Sequence, residues 1–218
     1  MTERRRPQIA SRKAPKQARS NELVAAVLEA AVQVLATEGA QRFTTSRVAE
    51  KAGVSVGSLY QYFPNKAAIL FRLQSDEWRR TTAMLSAILA DTARPPLDRL
   101  RSLVHAFVRS EREEAAMRVA LNDAAPLYRD APEAREVRQS GEEAVRTFLR
   151  EALPSAPDTT RALAADLLTD TLSAVGKQFS ERPRTPGEIL AYADALADML
   201  CAWMDRLERR SREGGNPY

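Results

Sequence analysis

The sequence predicts an all-α protein of about nine helices, and three observations carry that expectation. Glycine is sparse, with 8 in 218 residues, and aromatic residues make up 6%; with alanine and leucine abundant, that balance favours helices over strands. Apolar residues recur at three- and four-residue spacing through most of the chain, and no alternating apolar–polar run is long enough to predict a strand. Proline and glycine fall between the periodic stretches, where they punctuate helices.

The elements follow in order. Residues 1–19 carry Arg4, Arg5, Arg6, Arg12, Lys13, Lys16 and Arg19 with little apolar content, which predicts a flexible basic arm. From about Ser20, Val24, Val27, Leu28, Ala31, Val34 and Leu35 form the stripe of a first helix, which Gly39 stops. Thr44 is placed to cap a short helix over about 45–52, and Ser55 to cap a second short one. Asn65 caps a long amphipathic helix that runs to about Ala90. Pro95 and Pro96 then punctuate the chain, Pro96 suiting the first turn of a helix over about 96–113 with Leu97, Leu100, Val104, Phe107 and Val108 on one stripe. A short helix is expected over about 115–123, ended near Pro126, and another over about 131–152, closed by Pro154. Two long helices complete the chain, over about 158–180 and 188–210, ahead of a frayed tail at 213–218.

Charge is distributed unevenly. Residues 1–66 hold 11 Lys and Arg against 5 Asp and Glu, a net of +6, whereas residues 67–218 hold 22 against 24, a net of −2. A basic first third suits a polyanion partner, although a solvated tail would show the same excess. One cysteine, Cys201, and one histidine, His105, leave no material for a disulfide framework and next to none for a zinc site. The first residues lack the apolar core of a secretory signal and no run reaches a membrane span, so a cytoplasmic protein without membrane contact is expected. No Gly-rich phosphate loop, GxSxG, HExxH or metal-ligand cluster occurs, so neither an enzyme nor a cofactor is expected.

The stretch FTTSRVAEKAGVSVGSLYQYFPNK carries the functional reading. Val48, Ala49 and Ala52 form the inner face of the first short helix, and Ala49 is small enough to let a crossing helix approach. Gly53 stands where a left-handed residue must end that helix. Val54 plugs the turn, while Leu59 and Phe63 anchor the second helix from beneath. Two short helices joined by a glycine turn make a helix-turn-helix, whose second helix can enter the major groove. Val56, Gly57, Ser58 and Gln61 are left facing outward, with Tyr60 and Tyr62 on the flanks and Lys66 on the first turn of the next helix, where a phosphate would fit. A helical hairpin inside a core would account for Ala49, Gly53 and Leu59, but not for exposed Tyr60, Tyr62 and Lys66 beside a basic arm.

The order of a helix, TT, VAEKAGVS, GSLYQYFPNK and a long helix closely resembles the DNA-binding domain of the TetR/AcrR family of transcriptional regulators, over about residues 20–70. The resemblance implies that Thr44 and Thr45 begin the positioning helix at phosphate and that Arg47 reaches phosphate or a base from the same turn. Ser55, Val56, Gly57 and Ser58 open the recognition helix. Tyr60 matches the family's phosphate-contacting tyrosine, Tyr62 a further groove or backbone contact, and Lys66 a phosphate-binding lysine. Arg, Asn and Gln are absent from the leading base-facing positions, so readout falls to Gln61 or Arg47, or to Val56 against a thymine methyl.

The resemblance implies a helix-turn-helix domain over 20–66, and over 67–212 an effector-binding domain that dimerises through its last two helices. The expected partners are double-stranded DNA as a palindromic operator, a second copy of the chain and a small, largely apolar effector; the expected function is a repressor released by that effector, with an activator or a ligand-independent repressor as the alternative. Candidates for the pocket lining are Trp78, Phe107, Met117, Leu121, Asn122, Tyr128 and Phe148. Wide apolar stripes on the last two helices exceed what one internal contact needs, although both helices could simply complete the monomer's core. His105 lies off its helix's stripe and is expected to be exposed; Cys201 is expected to be a buried, inert thiol.

Overall fold

A computed structural model describes residues 18–113, 132–181 and 184–214, and every described element is a helix or a connection between helices. In chain order these are α1 (Ala18–Arg42), α2 (Thr45–Lys51), α3 (Val56–Tyr62), α4 (Lys66–Ala90), α5 (Pro96–Glu113), α6 (Pro132–Ala152), α7 (Asp158–Glu181) and α8 (Pro186–Arg212). The all-α expectation holds. The short helix expected at 115–123 lies outside the described residues, as do most of the basic arm and the last four residues of the tail.

Local chemistry sets the ends of these helices. Gly39 has φ 74° and ψ 172°, which interrupts α1 where the sequence predicts its stop; one further turn reaches Arg42. Pro96 opens α5, where its missing N–H is an orphan in any case. The last helix begins two residues earlier than its apolar stripe suggests. Thr185 Oγ1 accepts from Glu188 N at 3.3 Å and Glu188 Oε2 accepts from Thr185 N at 2.7 Å, a reciprocal cap written in the sequence as T-x-x-E.

The described chain divides into two compact units, one running through Trp78 and including residues 132–134, the other made of residues 79–113 and the chain from Arg135 onward. In the first, α1 contributes Val24, Val27, Ala31, Val34 and Leu35 to a core shared with Phe43, Val48, Ala49, Leu59, Phe63 and the first two turns of α4. In the second, α7 and α8 both pack on α5, whose Leu100, Leu103, Val104, Phe107 and Val108 meet Ala164 and Leu168 of α7 and Ala193, Leu196, Leu200 and Met204 of α8. Gly176 sets how closely α7 approaches: a Cβ there would lie 2.8 Å from Phe107 Cζ and 2.9 Å from Glu111 Cδ.

The second unit also buries charge. Arg99 is fully buried; its guanidinium donates to the Leu89 carbonyl at 2.6 Å, pairs with Glu151 and lies 5.5 Å from the Phe148 ring centre, so it fastens the end of α4 to α5 and α6. Glu208 is buried on α8, accepting from Ser155 N at 3.2 Å and Arg212 Nε at 2.9 Å. Burial alone would push its carboxyl up, yet the hydrogen bonds from Ser155 and Arg212 outweigh it and hold the group below the usual carboxylate range. His105 is half-buried rather than free on the surface, with Nε2 3.1 Å from Asp194, which ties α5 to α8. Cys201 is buried as expected, with Sγ 3.5 Å from the Leu97 carbonyl, and burial pushes its thiol up.

Candidate nucleic-acid interface

The helix-turn-helix is assembled from two capped helices and a glycine turn. Thr44 is extended, at φ −133°, and its hydroxyl accepts from Arg47 N at 3.3 Å, so α2 starts where the sequence places its cap. At the other end Gly53 N donates to Glu50 O at 3.1 Å and Val54 N to Ala49 O at 3.0 Å, with Gly53 at φ 66°. Those bonds use the last free carbonyls of α2 and need the left-handed backbone that glycine adopts without strain. Val54 packs against the core from the turn. Ser55 then caps α3, its hydroxyl accepting from Ser58 N at 3.0 Å and meeting Ser58 Oγ at 2.8 Å. Asn65 does the same for α4, accepting from Ala68 N at 2.9 Å and leaving Lys66 exposed on the first turn.

The seven residues of α3 divide cleanly between two faces. Leu59, Tyr62 and the following Phe63 are buried, while Val56, Gly57, Tyr60 and Gln61 are exposed and Ser58 is half-buried. Tyr62 therefore corrects the expectation of an exposed side chain: it is only 6% exposed and packs in the core. The reason is helical spacing. Tyr62 follows Leu59 by three residues and falls on the same side, where α1 and α4 supply apolar partners. Tyr60 points the other way, and its hydroxyl lies 3.1 Å from Thr45 Oγ1. One bond thus joins two expected contact residues and ties the positioning helix to the recognition helix. Gly57 meets nothing closer than 3.8 Å for an added Cβ and has no positive φ, so the fold itself does not demand glycine there.

Electrostatics depart from the simple picture of a basic domain. Over residues 20–66 Arg42, Arg47, Lys51 and Lys66 are matched by Glu22, Glu29, Glu38 and Glu50, so the positive excess of the first 66 residues lies entirely in the arm. Arg47 is not free, because its guanidinium pairs with Glu38 at the end of α1. The partner comes from α1, outside the FTTSRVAEKAGVS stretch, so the motif itself does not show it.

The expected pocket lining is only partly described. Trp78 packs against the core of the first unit, whereas Phe107 and Phe148 are buried in the core of the second, held there by Gly176 and Arg99 respectively. Met117, Leu121, Asn122 and Tyr128 lie outside the described residues. On the two helices expected to dimerise, Leu163 and Leu167 of α7 and Leu190 and Met199 of α8 are exposed. No described helix is long and apolar enough to cross a membrane.

Comparison with known proteins places both units. A family model described as bacterial regulatory proteins, tetR family, matches residues 27–73, and one described as tetracyclin repressor-like, C-terminal domain, matches residues 95–207. The HTH-type transcriptional repressor KstR of Rhodococcus jostii is 28% identical over 144 residues, 66% of each chain. The nucleoid occlusion factor SlmA of Vibrio campbellii is 35% identical over 95 residues, 43% of this chain and 48% of that one. The chain thus aligns with about half to two thirds of the length of these curated relatives. Among solved structures, the ketosteroid transcriptional regulator KstR2 of Mycobacterium tuberculosis has a TM-score of 0.58 at 21% identity, covering 89% of this chain and 97% of that one. PfmR of Thermus thermophilus, a TetR family transcriptional regulator, has a TM-score of 0.63 at 23% identity over 81% and 97%. One family model spans the helix-turn-helix and the other the helices behind it, so the chain belongs to the tetR family of bacterial regulatory proteins.

Proposed function

We propose that the chain is a transcriptional repressor that binds a palindromic operator as a dimer and releases it when a small, largely apolar effector binds the second unit. The observation that carries the reading is the outer face of α3. Val56, Gly57 and Gln61 are exposed together, on a helix anchored from beneath by Leu59, Tyr62 and Phe63. A glycine that the fold does not require keeps that face low, which suits close approach to base edges. Thr44, Thr45, Tyr60 and Lys66 surround it with donors for phosphate, and contacts of that kind fix register without reading sequence. Gln61 is the residue of α3 able to make a bidentate contact with adenine.

Dimerisation through α7 and α8 is favoured by Leu163, Leu167, Leu190 and Met199, which stay exposed although the inner stripes of both helices are already buried on α5. Two-fold symmetry in the protein would then call for two-fold symmetry in the operator. An apolar effector accords with the names of relatives, among them the ketosteroid regulator above and a fatty acid metabolism regulator protein of Bacillus subtilis, 43% identical over 47 residues. Such an effector acts only through unequal affinity for the DNA-competent and released states. Selection of bound sequences from random duplexes tests the whole reading. A two-fold symmetric site preferred by about 10³-fold or more supports it, and equal affinity for all duplexes refutes it. Release of the selected duplex by apolar compounds, with the affinity of Gln61→Ala tracked at each base position, separates the effector from the readout.

A further inference from the structure

We infer that Glu38 is an internal phosphate mimic, which holds Arg47 and thereby lowers the affinity of the helix-turn-helix for DNA of any sequence. The inference rests on the DNA-binding reading above and assigns a role to a residue outside the recognition motif. Glu38 is the last residue of α1 before the chain breaks at Gly39 with φ 74°. That break leaves its carboxylate against the first turn of α2, where it pairs with Arg47. The Glu38 and Arg47 side chains are 30% and 44% exposed, but Glu38 Oε2, the oxygen that faces Arg47, is itself buried, so the contact is shielded from solvent at its centre. The backbone of Arg47 is already fixed by the Thr44 cap, so exchange of partner needs only side-chain motion.

Charge count makes the pairing consequential. Arg47 is one of four cations in residues 20–66, and the four acidic residues there bring the net charge to zero. Sequence-independent affinity for DNA grows with the number of phosphates that cations neutralise, and each contributes about 0.9 to the slope of log K against log salt. While Glu38 holds Arg47, that cation is spent inside the protein. The pair persists when the domain meets non-cognate duplex, so Arg47 is withheld from phosphate and the pair acts as a brake on binding. A brake of that sort limits occupancy of the vast excess of non-cognate sites, where no base contacts add to the phosphate contacts.

The test is titration of the full-length chain with a short duplex of random sequence, at several salt concentrations between about 50 and 200 mM. Glu38→Gln is expected to bind more tightly and to steepen the salt slope by about 0.9. Two controls separate release of Arg47 from the mere loss of an acidic group. Glu29→Gln removes an exposed carboxylate elsewhere on α1 and is expected to leave the slope unchanged. The double variant Glu38→Gln with Arg47→Gln is expected to return to the slope of the parent protein. A Glu38→Gln slope equal to the parent's, or matched by that of Glu29→Gln, overturns the inference. A drop in melting temperature without tighter binding also overturns it, because the pair would then serve folding alone. If the parent chain binds no duplex, the DNA-binding reading fails; if it binds and Glu38→Gln changes nothing, only the role of Glu38 fails.

Discussion

The consecutive helices α2 and α3 and the consecutive helices α7 and α8 each leave a different chemistry facing outward. On α2–α3 the exposed set includes Thr44, Ser46, Ser55, Gly57 and Gln61 with Val56 and Tyr60, beside the charged Arg47, Glu50 and Lys51, polar or small groups for the most part on short capped helices. On α7–α8 it includes Leu163, Leu167, Leu190 and Met199, large apolar groups on helices of 24 and 27 residues. The difference in length has a physical sense. A seven-residue helix buries about two turns and is held by its caps and the glycine turn, so its outer face is free to be polar. A long helix can bury one stripe on α5 and still carry apolar surface for a second contact. Buried charge lies outside the helix-turn-helix: no charged side chain of residues 20–66 is buried among those described, whereas Glu77 on α4 and Arg99, Glu111 and Glu208 of the second unit are.

The sharpest way to break the comparison is to make the second surface like the first. Leu163→Glu combined with Leu167→Glu should leave the monomer folded, since both side chains are already exposed, but convert the proposed dimer to monomer in sedimentation. Operator affinity should then fall by about 10²–10⁴-fold, the avidity lost when two half-sites no longer bind together; a dimer that persists would show that these leucines face solvent.

Next in size is the contrast between the two faces of α3. Leu59→Ala should destabilise the first unit by about 2–5 kcal/mol, measured by denaturant melts, because Leu59 is fully buried in its core. Gln61→Ala, two residues on, should change stability by less than about 0.5 kcal/mol. A large loss at Gln61 would mean that the outer face of α3 is not free.

Buried charge predicts a smaller and pH-dependent difference. The carboxyl of Glu208 is held below its usual range, so its contribution is present above the unfolded value and disappears as pH falls through the lower, folded value. Glu208→Gln should therefore cost about 1–2 kcal/mol near neutrality and little in strong acid, flattening the acid limb of the second unit's stability. Parallel acid limbs for parent and variant would count against the hydrogen bonds from Ser155 and Arg212.

Tyr60→Phe carries the smallest expected effect, about 1 kcal/mol or less in stability, because the lost bond to Thr45 is partly solvated. Its loss of DNA affinity should exceed its loss of stability, since α2 would no longer be tied to α3 at the interface. Equal losses would reduce the bond to a structural tether.

Much of the interface was legible because its devices are local. Thr44, Gly53, Ser55 and Asn65 act within three residues of themselves, so spacing alone identifies each cap and turn. Tyr62 was misread because a seven-residue helix samples too few positions to define its buried arc, and a tyrosine with an apolar ring and a polar tip suits either side. Its distance of three from Leu59 was the available clue. The Glu38 partner of Arg47 was invisible for a different reason: it comes from another helix, and nothing in the spacing of charges says which pairs meet.

The amino-acid order by itself determined where helices start and stop and that α2 and α3 form a turn-linked pair, because capping, backbone freedom and apolar period act over one or two turns. Tertiary structure decided which side of α3 Tyr62 takes, which anion holds Arg47 and that Arg99 closes on Leu89, Glu151 and Phe148. Each of those outcomes depends on surfaces from separate helices meeting at contact distance, and a contact between distant residues exists only once the chain has packed.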